Sequence, residues 1–220
     1  MASIQLGPIA LAQETPVNVG TYIAPDDEET FFKELVNHRA GNTSRAKSGA
    51  DILNSLAANS TEGKCIKTWV HAQHGWLPNS PDGRLVDGGF GGGQRGEGTG
   101  FYRKDQDPQP RNGGRANGGR NLNDLKSAID GGTIRFCRQC RIYIYGCEIA
   151  SIGTFAAELS RITKCEVYAA NGKSSTAHDN GGRGKSTDPW RAEGGWKKLV
   201  DGAAAADQPS GKYIEPTVNW

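Results

Sequence analysis

Two strand-like runs that each stop at a reactive side chain constrain this chain more than any other feature: KCIKTWVHAQHG, ending at His74-Gly75, and CRIYIYGC, ending at Gly146-Cys147. Both are short, apolar and rich in β-branched or aromatic residues, and helical patterns lie between and beyond them. They therefore read as buried strands of a parallel sheet. Open α/β sheets build their ligand crevices just past the carboxyl ends of such strands. A histidine and a cysteine at those two positions are a candidate general base and nucleophile.

The neighbouring segments fit that frame. Residues 17–24 (VNVGTYIA) form a first strand, and Pro25, Asp26 and Asp27 mark the turn into a helix that begins near Glu28, with Phe31, Phe32, Leu35 and Val36 on one face. Ser48 caps a second helix, Asp51 takes the capping-box position, and Ile52, Leu53 and Leu56 face inward. The strand of residues 65–71 follows. From 76 to 120 the periodicity vanishes into GGFGGGQRGEGTG and RNGGRANGGRN, whose glycine makes ordering costly, so this stretch reads as a long mobile loop. Regularity resumes with Leu122, Leu125 and Ile129 on a helix that Gly131-Gly132 terminates, then two strand-like runs at 134–137 and 141–145. Ile152, Phe155, Ala156, Leu159 and Ile162 mark a helix capped by Ser151, and residues 166–170 a last strand. Strands alternating with helices predict an α/β fold with a mostly parallel sheet covered on both faces. Trp190 and Trp196 are expected to pack back onto a single domain of residues 1–202, leaving 203–220 as a loosely attached tail.

Composition narrows the function. Only 35% of the 220 residues are hydrophobic and the mean hydropathy is −0.61, but the polar excess is concentrated in the Gly-, Arg-, Asn- and Asp-rich stretches. A net charge of +2 creates no field that would draw nucleic acid or an anionic membrane. No apolar run reaches membrane-spanning length, and residues 4–12 lack a basic flank and contain Pro8. These features imply a soluble protein, cytoplasmic or exported by a route without a Sec signal peptide.

The cysteines (Cys65, Cys137, Cys140, Cys147 and Cys165) are odd in number, and four lie in or beside strand-like runs. That placement suits buried thiols, at least one of them free, in a reducing compartment better than a disulfide framework. Cys137 and Cys140 form a C-x-x-C that could hold zinc with Cys65 or a histidine, yet no second C-x-x-C completes a tetrahedral set, so no metal is expected. Arg95, Arg103, Arg111, Arg115 and Arg120 punctuate the glycine-rich stretch without regular RGG repeats, which favours a surface loop over a nucleic-acid-binding segment. GGFGGGQRG lacks the Gly-Lys-Ser/Thr ending of a phosphate loop. His71 reads as a plain strand histidine, and His38 and His178 as solvent-facing.

A strand ending in His-Gly, a variable loop, a helix and a strand ending in Gly-Cys together resemble the caspase-like (clan CD) cysteine peptidases. The stretch GGTIRFCRQCRIYIYGCEIASIGTFAAELSRITKCEVYAANG is similar to the bacterial caspase-like domains in particular. The resemblance covers roughly residues 17–171 and implies a caspase-like three-layer αβα sandwich. Carried onto this sequence, it makes His74 the general base and acid, Cys147 the nucleophile, and the backbone N–H groups of Gly75 and Cys147 the oxyanion hole. It implies an endopeptidase that acts on protein or peptide substrates through a thioester on Cys147 and needs no cofactor. Glu148, beside the nucleophile, would either line an S1 pocket for Arg or Lys or only cap the turn that follows. The loop after His74-Gly75 is longer and richer in glycine than the family pattern. Two other readings stand beside this one: a catalytically silent caspase-like interaction module, and a nucleic-acid binder acting through the Arg/Gly loop.

Overall fold

A computed structural model describes residues 14–24, 26–73, 75–76, 89–90, 101–102, 118–147, 149–150, 155–176 and 184–214. The elements in chain order are β1 (Thr15–Tyr22), α1 (Glu29–Ala40), β2 (Thr43–Arg45), α2 (Gly49–Ala58), β3 (Lys64–Ala72), β4 (Gly75–Trp76), β5 (Gly89–Phe90), β6 (Phe101–Tyr102) and β7 (Arg120–Asn121). These are followed by α3 (Leu122–Asp130), β8 (Phe136–Tyr145), α4 (Phe155–Thr163), β9 (Glu166–Ala170), β10 (Ser174–Ser175), β11 (Trp190–Ala192), β12 (Trp196–Val200), β13 (Ala203–Ala204) and β14 (Tyr213–Ile214).

The central sheet has seven strands in the order β13-β12-β9-β8-β3-β1-β2. From β2 to β9 all pairings are parallel, whereas β12 and β13 add an antiparallel edge. Side chains alternate across it as a doubly covered sheet requires. Ile142 and Ile144 of β8 and Val167 and Ala169 of β9 face one core, with Ile52 and Leu56 of α2, Leu122 and Leu125 of α3, and Phe155 and Leu159 of α4. Tyr143, Tyr145 and Ala170 face the other, with Phe32, Leu35 and Val36 of α1 and with Trp190 and Trp196. Helices on both faces make the architecture mixed α/β, compatible with a three-layer sandwich. No helix among the described residues is long and apolar enough to cross a membrane.

Local sequence explains several elements. A Cβ built on Gly20 would lie 2.5 Å from Val36 Cγ1, so the glycine lets α1 lie close against β1. Ser48 caps α2 by accepting from the Asp51 N–H at 3.3 Å, while Asp51 Oδ2 accepts from the Lys47 N–H at 2.9 Å. Asn121 begins α3 with a full capping box, its side chain accepting from Asn123 and Asp124 and Asp124 accepting in return from the Asn121 N–H.

Four expectations need correction. The end of the run at 134–137 and the run at 141–145 belong to one strand, β8, with a large bulge: Ile66 pairs with Phe136 and Thr68 with Arg141, so one residue of β3 faces four of β8. Those four are Cys137, Arg138, Gln139 and Cys140. The bulge hides the strand from a period-two reading, because alternation is lost across it.

The second correction concerns the cysteines. Cys65 is bonded to Cys137 and Cys140 to Cys165, so four of the five are half-cystines and the C-x-x-C sulfurs are neither zinc thiolates nor partners of one another. One cysteine is free, as an odd count requires, and it is Cys147.

The third is the stretch from 76 to 120. Four of its short segments, counted with its flanks, pair as a small sheet in the order β4-β5-β6-β7. Phe101 is fully buried in the main core, its ring edge-on to Phe155 at 6.5 Å. The expected mobility of the rest of that stretch falls outside the described residues.

The fourth is the tail: from Gly202 to Ile214, which includes the described part of the residues expected to be loosely attached, the chain is hydrogen-bonded to the domain. β13 pairs with β12, β14 pairs with β11, and the Gln208 amide exchanges bonds with both the N–H and C=O of Lys198. Lys198 Nζ reaches Asp207 at 2.7 Å and Glu166 at 3.0 Å, which ties this segment to β9 as well.

Candidate functional site

The two strands singled out by sequence are neighbours. β3 and β8 run parallel, with His71 opposite Ile144 and Ala72 opposite Tyr145. The pairing continues past the strand end, where the Gln73 N–H donates to the Tyr145 carbonyl at 3.0 Å. Gln73 immediately precedes His74, and Tyr145 is two residues before Cys147. Both chain segments therefore leave the sheet from adjoining carboxyl ends. His74 itself and Glu148 lie outside the described residues, as do Ser151 and His178. Gly75 is placed as backbone, in β4.

Cys147 is half-buried. Its Sγ lies 3.4 Å from the Ser174 N, which donates to it, and 3.5 Å from the Ser174 carbonyl, which accepts from the thiol. The first residue of β10 thus presents both a donor and an acceptor to the sulfur. Ser174 Oγ is buried without a hydrogen-bond partner among the described residues.

The turn that supplies Ser174 is itself fixed. The Asn171 N–H donates to the Gly195 carbonyl at 3.0 Å and the Glu193 N–H to the Lys173 carbonyl at 2.9 Å. Gly172 takes a φ of 84°, a conformation that favours glycine. On the other side of Cys147, the Ala150 N–H donates to the Ala170 carbonyl at 2.9 Å and Lys197 Nζ to the Ala150 carbonyl at 3.0 Å. The segment around the thiol is thus moored to the end of β9 and to β12.

Beneath it, Tyr145 is fully buried, its ring 5.1 Å from that of Trp190 and 5.8 Å from that of Trp196. The Arg39 guanidinium stands 5.3 Å from the Tyr145 ring centre. The same guanidinium donates to the carbonyls of Leu35, Ser186 and Asp188 at 3.0, 2.9 and 2.7 Å. Arg39 escaped the sequence reading because one arginine on a helix face gives no sign of being buried, although Trp190 and Trp196 marked the segments it braces.

His71 lies in β3, as a strand histidine should. It is fully buried, with Nδ1 2.7 Å from Thr21 Oγ1 and Nε2 3.0 Å from Gln73 Oε1. Burial pushes its pKa down from 6.5 to about 4, against the opposing pull of the Gln73 bond, so the ring is neutral near pH 7. His38 is exposed, as expected.

Among the described residues no group of three or more His, Cys, Asp or Glu side chains is gathered as metal ligands would be. Comparison of the chain with protein-family models, curated proteins and solved structures finds no match.

Proposed function

We propose that this chain is a caspase-like cysteine endopeptidase, with Cys147 as nucleophile and His74 as general base and acid. The observation that carries the reading is the state of the cysteines. Four are paired, and the one left as a thiol is half-buried at the carboxyl end of a central parallel strand, beside the strand that leads into His74-Gly75.

In the proposed reaction His74 accepts the thiol proton while Cys147 Sγ bonds to the scissile carbonyl carbon. The backbone N–H groups of Gly75 and Cys147 stabilise the resulting oxyanion. Collapse breaks the C–N bond, His74 returns the proton to the departing amine, and a thioester remains. Water, deprotonated by His74, then releases the acid and restores the thiol. Glu148 gives the site a preference for Arg or Lys through a charge-assisted pair. Two disulfides fit an oxidising setting, so export suits the chain better than the cytosol.

The test is turnover of reporter peptides carrying Arg, Lys, Asp or Leu at P1. Cys147→Ala and His74→Ala should each lower kcat/KM by at least about 10³-fold without changing the circular dichroism spectrum. Glu148→Gln should weaken cleavage after Arg and Lys selectively. Full activity in Cys147→Ala would refute the assignment, and a preference for Asp or Leu would refute the acidic pocket. If the wild type cuts nothing and Cys147 resists alkylation, the silent interaction module takes its place.

A further inference from the structure

We infer that a buried hydrogen-bonded chain, Trp69–Thr21–His71–Gln73, is a positioning device that holds the carboxyl end of β3 in register with the end of β8. The inference rests on the reading of His74 and Cys147 as base and nucleophile, since these residues follow the two strand ends.

The directions of the bonds can be assigned. Trp69 Nε1–H donates to Thr21 Oγ1 at 2.8 Å, and the Thr21 hydroxyl lies 2.7 Å from His71 Nδ1. Gln73 Oε1 can only accept, so His71 Nε2 carries the proton it receives at 3.0 Å. A neutral imidazole has one N–H, so Nδ1 is the acceptor and Thr21 donates to it. The chain runs in one direction, from the indole through the hydroxyl and imidazole to the amide.

Gln73 is where the chain reaches the site. Its side chain is held by His71, its N–H is bonded to the Tyr145 carbonyl at 3.0 Å, and the next residue is His74. It is 2 % exposed, although it lies past the end of a strand. One residue therefore fixes both the direction in which β3 ends and its spacing from β8. β1, which supplies Thr21, becomes part of the site's support. An apolar set of the same shape would fill the core equally well, so the polar chain is explained by what it fixes at its far end. Histidine suits the middle of it because it bridges a donor and an acceptor while staying uncharged.

The experiment compares Thr21→Val, Thr21→Ser and Gln73→Met with the wild type in steady-state cleavage of the preferred reporter peptide. Thr21→Val removes the bridging hydroxyl, and Gln73→Met removes the amide while keeping the N–H to Tyr145. Both should lower kcat roughly 10- to 100-fold with KM nearly unchanged, and Thr21→Ser, which keeps the hydroxyl, should restore kcat. If Thr21→Val does not fold, Gln73→Met decides the matter alone. Wild-type kcat in Gln73→Met, or in a folded Thr21→Val, overturns the positioning role while Cys147→Ala still identifies a peptidase. Absence of hydrolysis by the wild type overturns the peptidase reading and this role with it.

Discussion

The two ends of β8 are secured by different means. At the amino end, the bulge of residues 137–140 is pinned to β3 by Cys65–Cys137 and to the start of β9 by Cys140–Cys165. At the carboxyl end no covalent link exists: the Tyr145 carbonyl accepts from Gln73, the Tyr145 ring packs among Trp190, Trp196 and Arg39, and Cys147 remains a thiol. The bulge forfeits ladder hydrogen bonds, so cross-links stand where backbone pairing is weakest. The end that carries the proposed chemistry is fixed by packing and directional hydrogen bonds, which leave its sulfur available.

Reduction should break that comparison most severely. In the chain-entropy picture, a link between residues 72 apart contributes about 4 kcal/mol and one between residues 25 apart about 3.5 kcal/mol. Thermal unfolding with and without a phosphine reductant should show the midpoint falling by at least about 10 °C. An unchanged midpoint would mean that the amino end is held by something other than its disulfides. Cys137→Ser and Cys140→Ser should destabilise the chain yet retain turnover at low temperature.

Next in size is Tyr145→Ala, which empties the packed carboxyl end. Removing a large, fully buried aromatic should cost about 3–5 kcal/mol in urea denaturation. A cost below about 1 kcal/mol would show that the aromatic cluster does not hold that end.

The smallest effect sharpens the role of His71. Its imidazole protonates near pH 6.5 in the unfolded chain and near 4 in the folded one, so between those values the unfolded state binds more protons. Stability therefore falls as the pH falls through this window, by about 3 kcal/mol at its acid end. Denaturation between pH 7 and pH 4.5 should show this slope, and His71→Asn, less stable at pH 7, should lack it. A wild type equally stable at both pH values would mean that His71 is charged in the fold.

The sequence made the alternation of elements legible because each carries its own period. Residues 166–170 form β9 as expected, and the Ser48 cap opens α2. What escaped it lacks a local signal. Disulfide pairing joins residues on neighbouring strands, and a C-x-x-C whose sulfurs bond outward to Cys65 and Cys165 has the same spacing as one that binds metal. Phe101 follows a glycine-rich run and has no apolar residue at a helical or strand interval to mark it as core. For the candidate site, the strand end that precedes Cys147 was recognisable, and the structure adds Ser174 as the neighbour of its sulfur. The part played by His71 depends on Thr21, fifty residues away, which no reading of local pattern connects to it.

The Cys65–Cys137 link also governs what happens to a chain that is cut. It closes a loop containing the whole arginine-bearing stretch from Arg95 to Arg120, so a break anywhere between the two cysteines cannot release either piece. Cleavage there converts the protein into a two-chain form held by a single covalent tether, with β3 on one polypeptide and β8 on the other. Such a form migrates as one species on a non-reducing gel and as two after reduction. Under the proposed peptidase reading, such a cut would leave β3 and β8, the strands that lead to His74 and Cys147, joined through one disulfide.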